Sequence, residues 1–191
     1  MARLGAPFEV IESGFDEGTL KGLRPRRLAQ SAAHGKAEAV VARMPARWVV
    51  AADTVVALHG LILDKPRDGE DARRMLRLLS GRTHTVLTGT CVYAPGGKRR
   101  GDGVFRAGCA QSQVHIRRLS MEEIDDYVRS GEPKDKAGAY AIQGRARAFA
   151  SLQRGSLENV VGLPLHLLRR LLRDSGYPFP AHRSSATVPL L

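Results

Sequence analysis

The sequence predicts a mixed α/β domain, and three observations support this fold class. Segments with strand-like and helix-like patterns alternate along the 191 residues, and one pair of extended segments flanks a Pro-Gly turn. Hydrophobic residues make up 43% of the chain, which is ordinary for a soluble globular protein. A chain of this length buries roughly 70% of its unfolded surface, so a core forms without structural disulfides.

The first third of the chain contains a short strand, a helix and a buried strand in this prediction. Residues 8–12 form the short strand. Small and apolar residues then recur at helical spacing from Ala29 to Met44, and Pro45 ends the helix. The five apolar residues 48–52 are too few for an independent helix, and they predict a buried strand that continues to residue 58.

The remaining elements follow from similar patterns. After a turn at His59-Gly60, apolar spacing over residues 72–79 predicts an amphipathic helix. Residues 83–93 and 104–116 are the arms of the hairpin. A Ser-x-x-Glu capping box starts at Ser120 and predicts the next helix, and Pro164 precedes a leucine-rich last helix. We expect one domain over residues 1–177 and a loose tail over 178–191.

Charge and cysteine content narrow the class of partner. Thirty Lys and Arg against 19 Asp and Glu give a net charge of +11, which suits nucleic acid, an acidic surface or a polyphosphate substrate. Aromatic residues make up only 5%, which argues against a nucleic-acid partner bound by base stacking. Cys91 and Cys109 lie in strand-like segments without metal-binding spacing, and we interpret both as buried thiols in a reducing compartment. No apolar run of 18 residues and no signal peptide is evident, so we expect a cytoplasmic protein that does not enter a membrane.

Asp53 is the most informative single residue. It interrupts an apolar strand, and buried strands of open α/β sheets present reactive groups at their carboxyl ends, where ligands bind. The interpretation is a strand that delivers an acid to a pocket. The alternative is that Asp53 caps a following turn.

Two other segments carry polar residues among small ones. In residues 135–144, glycines and alanines surround Lys136 and Gln143; such residues let a ligand approach the backbone, and the Gln143 amide can donate and accept in one plane. A tight turn with a solvated lysine would have the same pattern. In residues 158–164, Asn159 and Gly162 form either a pocket wall or a helix-entry loop.

The acids and lysines of these segments suggest a chemistry. Carboxylates such as Glu17 and Asp53 bind a hard divalent cation, Mg²⁺ or Mn²⁺, and ammonium groups offset the charge of bridging phosphates. The ammonium groups would be Lys36, Lys65 and Lys136. This pairing is what polyphosphate hydrolysis requires.

Several short motifs follow one another along the chain: Asp16-Glu17, Lys36-Ala37-Glu38-Ala39-Val40, Ala52-Asp53-Thr54-Val55-Val56, Lys65-Pro66, Ser80-Gly81-Arg82-Thr83-His84, the segment 135–144 and Asn159-Val160-Val161-Gly162-Leu163-Pro164. This order of motifs resembles the Maf family of nucleoside triphosphate pyrophosphatases, and the resemblance covers residues 4 to 172. It implies a two-lobed mixed-sheet fold, like that of inosine triphosphate pyrophosphatases, with a central cleft. It also implies that the protein hydrolyses dTTP, UTP and modified nucleotides to the monophosphate and pyrophosphate.

The resemblance further implies a role for each candidate residue. Asp53 is the proton acceptor that activates water, and Glu17 helps Asp53 to hold the metal. Lys36 and Lys65 face the phosphates of the substrate, and Thr54 and Gln143 help to select the base. Lys136 also binds the substrate. A homodimer is one assembly that this interpretation allows.

One departure keeps other functions open. Members of the family begin with a strand and a Ser-x-Ser-Pro-Arg-Arg loop, whereas this chain begins at Met1, apparently within the following helix. Arg24-Pro25-Arg26-Arg27 has similar composition but follows Asp16-Glu17, so we do not assign it the phosphate-binding role. The alternatives are a catalytically impaired nucleotide-binding or division-control protein, and a nucleic-acid-binding protein that uses the +11 charge.

Overall fold

The computed structural model describes residues 7–96 and 102–179. Its helices and strands, in chain order, are α1 (Pro25–Val41), β1 (Val49–Leu58), β2 (Leu61–Leu63), α2 (Gly69–Leu79), β3 (Arg82–Ala94), β4 (Val104–Ile116), α3 (Met121–Arg129), β5 (Ala150–Arg154), α4 (Leu157–Val161) and α5 (Leu165–Asp174). The strands form one sheet in the order β2-β1-β3-β4-β5. Neighbouring strands pair antiparallel, and an isolated bridge between Ser80 and Ile116 is parallel.

The predicted α/β class is confirmed, and most predicted elements are present. The capping box at the start of α3 forms as expected, since the Ser120 hydroxyl accepts from the Glu123 backbone and the Glu123 carboxylate accepts from the Ser120 backbone. The prediction of a strand over residues 8–12 is wrong, because that segment has no regular structure. The sequence analysis missed β2, β5 and α4, which are only three to five residues long. The turn between the hairpin arms and the expected tail fall largely outside the described residues.

Apolar side chains form separate clusters toward the two ends of the sheet. One large cluster joins α2 and α3 to one end of the long strands, with Leu76, Ile116 and Ile124 at its centre. At the other end, α1 and α5 cover β1 and β3 through clusters that include Ala33 and Leu168. The long strands β1, β3 and β4 belong to both ends. This arrangement gives two lobes that share one sheet.

Helix α1 lies very close to the sheet. Ala29, Ala33 and Ala37 are fully buried on its inner face. At Gly89 of β3 an added Cβ would lie 2.0 Å from the Ala29 carbonyl oxygen, so only glycine permits this approach. The short distance brings Lys36 of the same helix within reach of β1.

The outer edge of β1 is only partly paired. β3 pairs with β1 from Val49 to Ala57, but β2 pairs only with Val56, Ala57 and Leu58. Within the described ranges, the edge before Val56 therefore has no strand partner. Asp53 and Thr54 lie on this open stretch.

No helix in the described part of the chain is both long and apolar enough to cross a membrane. Cys91 is buried and Cys109 is partly buried, and neither forms a disulfide. Burial raises the pKa of the Cys91 thiol to about 12 and also raises the pKa of Cys109. Both thiols are thus chemically quiet at neutral pH, although Cys109 is less buried than the sequence analysis expected.

Candidate active site

An ammonium group held between two carboxylates forms the centre of the candidate site. Lys36 Nζ lies 2.6 Å from Asp53 Oδ1 and 2.7 Å from Glu17 Oε1. The Asp53 side chain is 14% exposed and the Glu17 side chain 53%, so the group extends from the interior to the surface. The segment that carries Glu17 is anchored on α1, where the Phe15 ring packs directly against Gly35.

Burial and the neighbouring charges shift the pKa values of this group. Burial, together with the negative charges of Glu17 and Asp64, raises the pKa of Asp53 in spite of the lowering by the hydrogen bond and charge of Lys36. Burial lowers the pKa of Lys36, but the hydrogen bonds to Asp53 and Glu17 outweigh it, so the Lys36 pKa is raised. Lys36 is therefore protonated at neutral pH, and Asp53 is a stronger base than an exposed aspartate.

Asp53 lies in the middle of the ten-residue strand β1, not at its carboxyl end. The predicted strand over residues 48–58 is confirmed, whereas the expectation that Asp53 lies at the carboxyl end of a strand is wrong, and so is the alternative that it caps a turn. Asp53 and Thr54 line both cavities of the site, at the stretch of the β1 edge that has no strand partner in the described chain. The acid thus faces a pocket from within a strand and not from a strand terminus.

Two adjoining cavities, of about 410 and 430 Å³, meet at this edge. Asp53, Thr54, Lys65 and Ala137 line both. The first cavity is further lined by Lys136, Tyr140 and Gln143 among others, and the second by Lys21, Glu17 and Lys36 among others. The structure thus brings all seven residues predicted from the sequence to one continuous site.

The segment after Lys136 shapes the first cavity. Gly138 has a positive φ of 72°, and an added Cβ there would lie 2.9 Å from Val56 Cγ1, so the turn packs directly on β1. The Gly138 backbone N–H donates to the Asp64 carbonyl at 3.2 Å. This backbone contact fixes the turn, and the exposed Gln143 amide at its far end lines the cavity.

A buried histidine supports the same wall. His84 Nε2 lies 2.7 Å from the Tyr140 hydroxyl, and Tyr140 lines the first cavity. Burial lowers the pKa of His84 to about 4, so the imidazole is neutral at pH 7. The contact holds the tyrosine ring in place.

A polar chain that the sequence analysis missed lies behind Thr54. Thr54 Oγ1 is 2.9 Å from Thr88 Oγ1, and Thr88 donates to the Asn159 carbonyl at 2.8 Å. The Asn159 amide in turn donates to the Val86 carbonyl and to Ser112 Oγ. Asn159 lies within α4 and is buried, so it supports the pocket wall from behind. In a segment rich in β-branched residues, a threonine indicates only that the segment is a strand. The sequence analysis therefore could not identify Thr88 as part of the site.

The lysines of the site differ in their surroundings. Lys65 and Lys136 lie beside acids, since the Asp64 carboxylate accepts from the Lys65 backbone and Lys136 Nζ is 2.7 Å from Asp135 Oδ1. Among the described residues no arginine lines either cavity. Arg26 of α1 instead donates to the Cys109 carbonyl and the Gln111 side chain on β4.

The donor set suits a phosphate-bridged cation better than a metal held by protein alone. The described residues contain no cluster of three or more His, Cys, Asp or Glu side chains that could hold a metal ion. Two carboxylates, Glu17 and Asp53, converge on one point, now satisfied by Lys36. Magnesium commonly uses one or two protein carboxylates and takes its other ligands from substrate phosphates and water. The pair fits that pattern.

Comparisons with known proteins agree with the geometry. A sequence model of the family described as Maf-like protein matches residues 1–175. A protein of Anaeromyxobacter dehalogenans (strain 2CP-C) is 48% identical over 180 residues, which are 94% of this chain and 89% of that protein. A protein of Sphingopyxis alaskensis is 48% identical, over 93% of this chain and 90% of its own, and one of Deinococcus radiodurans is 43% identical, over 92% and 86%. All three relatives are named dTTP/UTP pyrophosphatase.

Proposed function

Since the chain belongs to the Maf-like protein family, we propose that it hydrolyses dTTP and UTP to their monophosphates and pyrophosphate. The observation that carries the proposal is the carboxylate–ammonium–carboxylate group where two cavities meet. One cavity offers ammonium groups for a polyphosphate, and the other offers an amide for a base. One site can therefore bind both the polyphosphate and the base of a nucleotide.

Asp53 acts as the proton acceptor in this proposal. Its raised pKa makes it a better base than an exposed aspartate. Asp53 takes a proton from water as the water oxygen adds to phosphorus, and the bond to the leaving pyrophosphate breaks. Lys36 orients the carboxylate through its 2.6 Å hydrogen bond.

Glu17 and Asp53 would hold a divalent cation together with the phosphates. When bound, the cation neutralises phosphate charge and polarises the phosphoryl group. Lys36, Lys65 and Lys136 supply further positive charge along the cavities, and Thr54 and Gln143 contact the base.

The test is pyrophosphate release from a panel of nucleoside triphosphates with Mg²⁺, repeated with a chelator. We expect turnover of dTTP and UTP that the chelator abolishes. Asp53→Asn should lower kcat by about 10²-fold or more, because general-base catalysis typically contributes 10²–10⁴-fold. Asp126→Asn, which alters an exposed aspartate on α3, is the matched control and should leave kcat unchanged. Unaltered turnover by Asp53→Asn would remove Asp53 from the proposed role.

The absence of arginine from the described cavity walls favours a second candidate, a nucleotide-binding protein without effective catalysis. Phosphoryl transfer sites often rely on such a group for charge stabilisation. The same assay separates the two: this candidate predicts that dTTP raises the Tm of the wild-type protein without pyrophosphate release.

A further inference from the structure

The polar chain behind Thr54 has a fixed hydrogen-bond direction. The Asn159 carbonyl can only accept, so the single hydroxyl proton of Thr88 is committed to it at 2.8 Å. In its 2.9 Å contact with Thr54, Thr88 must therefore be the acceptor, and Thr54 donates its own proton. Thr54 Oγ1 is left with lone pairs alone to offer a ligand.

The chain is held rigidly from behind. Thr88 is fully buried, and Asn159 is 1% exposed. The Asn159 side chain donates to the Val86 carbonyl at 3.1 Å and to Ser112 Oγ at 2.9 Å, which ties α4 to β3 and β4. Thr54 and Thr88 are also direct partners across β1 and β3. If the Thr88 hydroxyl turned away from the Asn159 carbonyl, two oxygen atoms 2.8 Å apart would face each other with no proton between them.

We propose that Thr88 is a positioning residue that fixes Thr54 as a hydrogen-bond acceptor and so selects uracil and thymine over cytosine. The proposal rests on the proposed function, because it assumes that Thr54 contacts the base, and it places Thr54 Oγ1 opposite ring position 3. Uracil and thymine carry an N–H at ring position 3, which needs an acceptor. Cytosine carries a bare nitrogen lone pair at that position, and a fixed acceptor opposes it.

Gln143 alone does not provide this selection. Its amide can rotate by half a turn, so that it presents either oxygen or nitrogen to a given ring atom. Within the described residues the Gln143 side chain is exposed and has no hydrogen-bond partner that would hold one orientation. An amide that can rotate pairs with both uracil and cytosine. In the Thr54–Thr88–Asn159 chain each hydroxyl donates in one direction only, so Thr54 can only accept from a base.

The test compares base preference in three variants of β3. Thr88→Val removes the acceptor of the Thr54 proton and should lower the ratio of kcat/KM for dTTP over dCTP about tenfold, as expected for the loss of one oriented hydrogen bond. Thr88→Ser keeps the hydroxyl and should restore the ratio. Thr90→Val is the matched control, because Thr90 is equally buried on the same strand but its hydroxyl has no hydrogen-bond partner among the described residues. Its ratio should equal that of the wild type.

A purely structural effect of Thr88→Val would lower turnover of both nucleotides together and leave the ratio intact, which would overturn the proposal. A wild-type ratio near one would also overturn it. Parallel calorimetric binding of the α,β-imido analogues of dTTP and dCTP keeps the two proposals apart. If the wild type shows no turnover, the proposed function fails, and the binding ratios of the same variants decide the role of Thr88.

Discussion

At the residue scale, the site depends on one buried aspartate and its lysine partner. Charged pairs in the interior lose solvation, and this loss, with the charges of Glu17 and Asp64, raises the pKa of Asp53 although Lys36 lowers it. The arrangement of the pair suits the proposed roles, in which Asp53 accepts a proton and the Lys36 ammonium group contacts phosphates.

The raised pKa of Asp53 predicts the acid limb of the pH profile. The carboxylate must be ionised to accept a proton, so kcat/KM for dTTP should fall as the pH drops through a midpoint above 3.8, the ordinary value for aspartate. Lys36→Met removes a group that lowers the Asp53 pKa and should move the midpoint to still higher pH. Lys134→Met changes an exposed lysine outside the cavities and is the control. A Lys36→Met midpoint at lower pH would contradict the assignment.

Individual site residues were predictable where their chemistry conflicts with their surroundings. An aspartate within an apolar run, as at Asp53, and an amide among glycines and alanines, as at Gln143, both stand out in the sequence. Thr88 and Ser112 could not be predicted. Their hydroxyls matter because of partners more than 40 residues away, and their residue types are ordinary in strands.

At the element scale, the open edge of β1 decides where the site lies. The sequence analysis expected the acid at a strand end, as in a parallel sheet. In an antiparallel sheet the equivalent opening arises because β2 is short and pairs with only three residues of β1. The length of a partner strand is set by tertiary packing, so the pattern around Asp53 could not indicate it.

The contact between α1 and β3 predicts a steep cost for one small substitution. Gly89→Ala would place a Cβ 2.0 Å from the Ala29 carbonyl and 2.8 Å from the Gln30 nitrogen, both rigid helix backbone. We expect a loss of about 3 kcal/mol in the free energy of unfolding, measured by urea denaturation. Gly108→Ala on β4 meets only the flexible end of Leu167 and should cost at most about 1 kcal/mol. Equal losses for the two variants would show that α1 can move away from the sheet.

Long amphipathic elements were predicted well, and short ones were not. The spacing of apolar residues identified α2 and α5, and the capping box identified the start of α3. β5 is five residues long with four exposed side chains, so it has no apolar pattern, and its pairing with β4 includes a bulge. The segment at residues 8–12 has strand-like residues but forms no ladder in the described chain.

At the scale of the whole molecule, the positive charge is partly neutralised locally. Arg73, Arg74 and Arg117 form ion pairs with acids on α2 and α3. Such pairs leave less free charge than +11 suggests for binding a nucleic-acid backbone. Lys36 and Lys136 at the two cavities are ion-paired as well, so in the proposed function they exchange these carboxylates for phosphates.

The net charge predicts a salt dependence of substrate binding. Salt screens attraction over about 10 Å at 0.1 M and about 3 Å at 1 M, so KM for dTTP should rise severalfold over this range of KCl, with little change in kcat. Sucrose at equal osmolality is the uncharged control and should leave KM unchanged. A KM that does not respond to KCl would indicate that long-range charge plays no part in binding.

The continuous strands β1, β3 and β4 have a mechanical consequence for the two lobes. Because each strand is a structural member of both, we expect the two lobes to unfold together as one cooperative unit. We also expect nucleotide entry and product exit to depend on side chains and short turns at the cleft rim, and not on a hinge between independent bodies.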